Sequence, residues 1–356
     1  MKKLRTLLLI VLVLLVLTPY FLGFEIKNRY RGLLSQFEEA GYDLASHEYD
    51  QGFYQSQARS VLAIPVYTPQ GDKTDIRLKI VSDIVHGPYT LSHGWLGDLT
   101  RFESRFYQQD KALFPEELGS QIVTKMAFSG DGVTQLDIPP LADTLELEND
   151  LFLDFAGLQG QIEFNVVMGQ VSVTAQTAGL RLSSPGQGEL RLGQIQVESD
   201  SSRGIAGLML GKGSFEIEQI AMHDWQRDFG LEVRNVAISA QTFAEAENIN
   251  ILASYSVAAI DVDKQRFGPA QLEIELTSIS AEAMARIQEN IQEMQRQQVP
   301  PQQQGMAIMG VFMSVMPSLL EQNPGMSLKK FELNTPQGMI QASLSLKVDD
   351  MSITDM

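Results

Sequence analysis

The sequence predicts a mainly β protein of the α+β class, with a single N-terminal transmembrane helix, a long curved antiparallel β-meander and a C-terminal helical hairpin. Three observations predict it. An unbroken apolar run from Thr6 to Phe24 stands between Lys2, Lys3 and Arg5 on one side and Glu25-Ile26-Lys27 on the other. From Ser60 to Ser278 apolar residues recur with period two, as strands require. From Ser280 the spacing lengthens to three and four, as a helix requires.

The apolar run comes first. Its residues, rising about 1.5 Å each in a helix, cover about 28 Å, close to the hydrocarbon thickness of a bilayer. It continues through Pro19, Tyr20, Phe21 and Leu22 where a cleaved signal would present small residues, so it reads as an uncleaved anchor. The preceding charges place the amino terminus in the cytoplasm and the bulk of the chain outside. Tyr20, Phe21 and Phe24 then fall at the outer interface. Five segments follow: 1–25 stub and anchor, 26–58 juxtamembrane helix and lead-in, 59–279 β-rich body, 280–323 helical hairpin, and 324–356 closing β-hairpin and tail.

Tyr30 to Ala40 carries Leu33, Leu34, Phe37 and Ala40 at helical spacing, with Gly41 as a stop. Ser60 to Thr68 and Thr74 to Val81 read as a hairpin around Pro69-Gln70-Gly71-Asp72, and Pro65 marks an edge or bulge because proline cannot donate to a ladder. Twelve further runs, from Gln121–Phe128 to Ala270–Ser278, read as strands separated by Gly, Asp, Asn and Ser clusters. In the stretch from Phe152 to Thr174, Phe164, Val166, Val171 and Val173 form one alternating set, and Glu163, Asn165, Ser172 and Thr174 form the other. One sheet face is therefore apolar and the other wet.

Met284, Ile287, Ile291 and Met294 define an amphipathic helix, and after Pro300-Pro301 the uncharged Gly305–Leu320 reads as a second, buried helix. Its Met309, Phe312 and Met316 are candidate contacts to a lipid, a protein partner or a second copy, since methionine adapts to varied apolar surfaces. Two closing strands, Leu328–Asn334 and Met339–Val348, flank the turn Thr335-Pro336-Gln337-Gly338.

Composition narrows the function classes. Six of the 27 basic and one of the 44 acidic residues precede residue 32, so the remainder carries 21 against 43, a net charge of −22. Such a body repels nucleic acid. Cysteine is absent, which removes disulfides, thiolate nucleophiles and cysteine-ligated metals.

Motifs of catalysis do not assemble. His47, His86, His93 and His223 show no paired spacing on one helix, and His86 and His93 read as loop residues rather than metal ligands. Gly207–Gly213 lacks the spacing of a phosphate loop and precedes a strand; Ser327 and Lys330 satisfy S-x-x-K without companion motifs; Asp261 and Asp263 lack the glycine and glutamate of a calcium loop. No cofactor, metal or catalytic residue is expected.

Three places carry a family resemblance: Tyr49–Ala58 with Gly52 and Ser56; Ile84-Val85-His86-Gly87-Pro88-Tyr89; and Met316–Val348 around its Thr-Pro-Gln-Gly turn. In these the chain resembles the YdgA-like family, single-span inner-membrane proteins of Gram-negative bacteria classed as a domain of unknown function. The resemblance implies a cytoplasmic stub, one span and a β-rich periplasmic body, with His86, Gly87 and Pro88 as a structural motif and no catalytic residue. The meander is also similar in style to AsmA-like envelope proteins, whose curved sheets form lipid-lined grooves.

The expected function is therefore non-enzymatic: an inner-membrane-anchored periplasmic module that binds a lipid or an envelope protein and self-associates as a homodimer. The alternative is an envelope-polymer hydrolase with a carboxylate pair about 5 to 10 Å apart.

Overall fold

The computed structural model describes residues 18–28, 30–31, 34, 43–67, 73–87, 89–90, 95–96, 98–108, 111–112, 114, 121–141, 144–146, 152–165, 167–226, 228–263, 265–296, 301–320 and 322–348. The greater part of the apolar run, together with Pro88, His93, the helix stop at Gly41 and the C-terminal tail, lies outside the described residues. Two compact units are present, one of Met1–Leu136, Asn165–Val167 and Gln292–Pro301, the other of Asp137–Phe164, Met168–Ile291 and Gln302–Met356.

The first unit is an antiparallel sheet with one helix on it. Strands β1 (Asp43–Gln51), β2 (Gln55–Tyr67) and β3 (Lys73–His86) pair in sequence, and β3 then pairs with β6 (Asp98–Gln108), β6 with β8 (Ile122–Ala127), and β8 with β9 (Asp131–Ile138). The short β4 (Tyr89–Thr90) and β5 (Trp95–Leu96) pair with each other, and β7 (Lys111–Ala112) pairs with β6. Pro65 lies where β1 has ended, because β1 pairs no further along β2 than Ala63, so among the described residues β2 is locally an edge strand there, paired only with β3 through Asp75. Helix α1 (residues 18–28, with 30, 31 and 34 also helical) buries Pro19, Gly23, Ile26, Tyr30 and Leu34, spaced as one helical face. Small side chains beneath it, Ser56, Ala58, Ser60 and Ser82, are also buried, and their size lets helix and sheet approach. Tyr30 fills the remaining space: its ring stacks on Phe102 at 5.9 Å and its hydroxyl meets the Ser60 hydroxyl at 3.2 Å.

The second unit contains β10 (Leu145–Glu146), β11 (Phe152–Phe155), β12 (Leu158–Asn165), β13 (Gln170–Thr177), β14 (Leu180–Ser184), β15 (Gly188–Leu192), β16 (Ile195–Arg203), β17 (Met209–Asp224), β18 (Phe229–Glu245), β19 (Asn248–Val262), β20 (Gln265–Phe267), β21 (Ala270–Ser280), β22 (Gly325–Thr335) and β23 (Gly338–Lys347). Between β21 and β22 stand helices α2 (Ala281–Arg296) and α3 (Pro301–Leu320). Ser280 caps α2, its hydroxyl accepting the Ala283 N–H at 3.3 Å.

Several of these strands are halves of one longer path. The distal half of β17 pairs with β15 and its proximal half with β16; β19 divides in the same way between β20 and β21. The breaks line up across the sheet. On one side of the seam Phe155, Leu180, Leu192, Ile220, Val233, Ile260 and Phe267 are successive cross-strand partners. On the other side Thr177, Ile195, Ile217, Val236, Val257, Ala270 and Leu333 are partners. Along each strand the two rows are three residues apart where plain alternation gives two.

A phase change of one residue moves a regular strand's side chains to the opposite face unless the backbone is irregular there. Pairing is interrupted at the seam, and Gly157, Gly179, Asn235 and Gly268 within it have positive φ. The sequence-derived strand Glu189–Glu198 accordingly divides into β15 and β16, since Gly193 and Gln194 fall in the seam. Gly179, at φ +129° with a Cβ position 2.4 Å from the Leu192 carbonyl oxygen, has no room for a side chain. Gly179→Ala is expected to cost roughly 1–3 kcal/mol in chemical denaturation, whereas the same change at exposed Gly310, inside helix α3 with nothing within 4 Å, should stabilise by about 0.5–1 kcal/mol through helix propensity.

Candidate functional site

Beyond the seam, apolar rows continue. Ala175, Val197, Phe215, Ile238, Tyr255, Leu272 and Phe331 are cross-strand partners, and so are Ala253, Ile274 and Leu328. Directly paired residues share a face, so each row is a continuous apolar strip. The opposite face is polar and carries ion pairs: Arg181 meets Glu189 at 2.7 Å, Arg234 and Arg266 both meet Asp261, and Lys329 meets Glu275 at 2.8 Å.

One end of the apolar face is covered. Ile249, Ile251, Leu276 and Ile279 pack with Leu208, with Ala281, Ala283 and Met284 of α2, and with Val315 and Leu319 of α3. The helical hairpin thus lies over the sheet. Ile251 and Leu276 share strand parity with Tyr255 and Leu272, so the covered patch and the open rows belong to one face. Past the hairpin most row residues remain partly exposed among the described residues, and Tyr255 is exposed.

The three candidate contacts on α3 divide. Met309 and Phe312 are exposed, Phe312 at 43%, whereas Met316 is only partly so, beside the buried Val315. Ile308 and Met313 extend the exposed stripe. Placing Gly305–Leu320 as a wholly buried helix is therefore corrected: with no charged residue anywhere on α3, Val315 and Leu319 supply its core contact and the rest of its apolar surface is left outward.

The His86-Gly87-Pro88 motif ends β3 in the first unit, and His86 is almost wholly buried there. Its Nδ1–H donates to the Phe53 carbonyl at 3.3 Å, and its Nε2 accepts from the Ser56 hydroxyl at 2.8 Å. The Gly87 N–H donates to the Leu99 carbonyl at 2.8 Å. A Ser–His pair at this distance resembles an activated nucleophile. Here, however, both groups are buried, and α1 covers them: a Cβ on Gly23 would stand 2.6 Å from the His86 ring. The motif is a latch between helix and sheet. Sequence reading found His86 but missed that Ser56 and Gly23 complete the arrangement, because all three are far apart in the chain.

Burial lowers the His86 pKa, against hydrogen bonds that the ring donates to the Phe53 and Pro19 backbone carbonyls, which raise it. His47 is lowered as well, by burial and then by the positive charges of Arg31 and Lys27. Asp131, an exposed carboxylate, is lowered by hydrogen bonds from Ser129 and Asn165. Ser327 and Lys330 engage different partners, the Ser345 hydroxyl and the Gln271 side chain. Lys212 lies within β17, so Gly207–Gly213 leads into a strand, as expected. Among the described residues no three His, Asp or Glu groups are grouped as a metal site.

A mostly antiparallel sheet with one apolar face and, among the described residues, three helices, two of them packed as a hairpin over one end of that face, defines a mainly β fold of the α+β class. The family is clear: the chain belongs to the bacterial protein family of unknown function described as DUF945, whose model matches residues 1–356. The YdgA-like resemblance is compatible with that membership. No curated protein and no solved structure matches the chain.

Three outcomes follow. Folded-state pKa values of His86 and His47 lie below the ordinary value of 6.5, so the unfolded chain binds protons first and stability falls as pH drops through that value. Thermal melts from pH 8 to 5 should show this loss, reduced in His86→Asn. Gly23→Ala should lower stability by about 1–3 kcal/mol through overpacking, and adding His86→Ala should recover part of it. By contrast Phe312→Glu, at an exposed position, should move the melting temperature by less than about 2 °C.

Proposed function

We propose that this protein is a non-enzymatic module anchored in the bacterial inner membrane by the run that starts at Thr6, with its β-rich bulk in the periplasm, and that its second unit binds lipid acyl chains. The observation that carries the reading is the apolar face: successive rows across β13 to β22, covered by α2 and α3 at one end and open beyond. Ligand sites for apolar molecules are concave or sheltered surfaces of this composition with few polar anchors. The anchor places such a surface within reach of membrane lipid. Among the described residues no helix is long and apolar enough to cross a membrane; the proposed span rests on the sequence from Thr6 onward. Its final residues belong to α1, whose buried face packs on the first unit while Tyr20, Phe21 and Phe24 face outward.

A second reading, a protein partner or second copy, is favoured by β23. All ten of its residues are exposed, it pairs only with β22 among the described residues, and Ile340, Leu344 and Leu346 stand outward on it. Such an edge can accept another strand. The hydrolase alternative has less support, because Glu189, Asp261 and Glu275 on the polar face are each engaged by arginine or lysine.

The test is lipid occupancy. Full-length protein extracted in mild detergent, stripped of lipid and re-exposed to bacterial phospholipids should retain lipid in native mass spectrometry. Tyr255→Glu, which puts a charge on an exposed position of the open rows, should reduce that retention severalfold with little change in melting temperature. Protein that stays empty throughout sinks the lipid reading and leaves the strand-edge one.

A further inference from the structure

The connection between β1 and β2 is three residues long, Gly52-Phe53-Tyr54. Exposed hairpin turns favour Gly, Asn, Asp, Ser and Pro, each for a backbone reason. Gly52 fits, since a Cβ there would stand 2.2 Å from the Gln55 carbonyl oxygen. Phe53 and Tyr54 do not fit: both rings are exposed, Tyr54 at 53%, and the turn needs neither.

Their neighbours explain them. Tyr20 of α1 stacks on Phe53 with ring centres 5.6 Å apart, and Phe53 meets Tyr54 edge-on at 4.7 Å. Tyr20 also makes edge contacts with Phe24 at 5.3 Å and Phe21 at 6.0 Å. Five exposed aromatic rings from two separate segments thus form one patch, with Phe21 62% exposed. The patch is fixed to the unit rather than carried on a free helix. Pro19, Gly23 and Ile26 are buried on the opposite side of α1, and His86 holds the turn through the Phe53 carbonyl.

We infer that this aromatic patch is a seat on the bilayer surface, pressing the first unit against the headgroup boundary instead of leaving it on a flexible tether. The occupant is lipid for two reasons. Immediately before α1 the sequence is apolar from Thr6 to Leu17, so the chain enters the patch from a membrane-suited segment. Immediately after Phe24, the last α1 ring of the patch, come Glu25 and Lys27, so the sequence changes along the helix from apolar to aromatic to charged. Aromatic rings concentrate at that boundary, where an apolar body and a polar edge are both accommodated. Lys27 is held on the unit, its ammonium 5.5 Å from the Tyr49 ring centre, on the charged side of this gradient. The inference rests on the anchoring part of the proposed function but not on lipid binding by the second unit.

The absence of cysteine makes the test direct. Single cysteines introduced as Phe21→Cys, Tyr54→Cys and Val167→Cys in the full chain carry a nitroxide label, and the protein is reconstituted in phosphatidylethanolamine and phosphatidylglycerol vesicles. Val167, 79% exposed in the same unit, is the aqueous reference. Expected is a severalfold higher ratio of oxygen to nickel-chelate accessibility at 21 and 54 than at 167. A label at 54 as aqueous as that at 167, with 21 in lipid, overturns the seat and leaves the anchor; aqueous readings at both 21 and 54 overturn both. Equal lipid exposure at 167 and 54 also overturns it, because contact is then not confined to the patch. Repeating the measurement with Phe53→Cys guards against a local distortion at Tyr54.

Discussion

The second unit depends on keeping apolar residues in register across many strands. Each row, from Ala175 through Phe215 and Tyr255 to Phe331, is a chain of direct cross-strand pairs. Such pairs are the unit of sheet stabilisation, worth roughly 0.2–1 kcal/mol each relative to alanine. Where no second layer covers the face among the described residues, these lateral contacts must supply stability that burial supplies elsewhere. A break in one strand alone would offset the pairing of every strand beyond it. The seam avoids this by interrupting consecutive strands at the same transverse line, so registers before and after it share the same offset: Ile217 opposes Val236 as Ile220 opposes Val233.

In the first unit the corresponding constraint is close approach. Gly23, the small residues Ser56, Ala58 and Ser60, and the His86 ring leave no spare space between α1 and the sheet. A buried imidazole is costly to charge, and here it is kept neutral with both nitrogens occupied. The same ring therefore serves packing, turn geometry and helix docking. That explains why a Ser–His pair, which in an open cleft would suggest chemistry, is a structural joint in this one.

Much of the fold was legible because period-two apolar patterns are strong between residues 121 and 278, and because Ser280, Pro301 and the Thr-Pro-Gln-Gly turn punctuate the helices and final hairpin. Strand β6 was not legible: its inward Thr100, Phe102 and Ser104 alternate with Arg101, Glu103 and Arg105, leaving only one large apolar residue among the three inward positions. The seam was written in the sequence as a repeated one-residue slip, such as Leu190-Leu192 followed by Ile195-Val197, but a slip in a single strand looks like a strand end. Its meaning appears only when the strands are laid side by side. The helix-to-sheet latch was hidden for a different reason: Gly23, Ser56 and His86 are about thirty residues apart in steps, and nothing local marks a glycine as the partner of a distant histidine.

Helix α3 joins these themes. A charged or strictly amphipathic helix would commit one face to the core and one to water; α3 instead carries Val315 and Leu319 inward and Ile308, Met309, Phe312 and Met313 outward, with no charge to anchor the outer face in solvent. Methionine tolerates this position because its unbranched, polarizable side chain packs against surfaces of varied shape and loses little when none is present. The helix begins with a Gln-rich turn, and inside it the only polar side chains are Ser314, whose hydroxyl donates to the Val311 carbonyl, and Ser318. The outward apolar surface therefore runs from Ile308 to Met313, about one and a half helical turns, and it stands on the element that already covers one end of the apolar sheet face. An apolar face that is sheltered at one end by a helix whose own outer side is apolar is better suited to a long flexible hydrocarbon than to a compact polar ligand, since every group along the path offers dispersion contact and few demand a hydrogen bond in return.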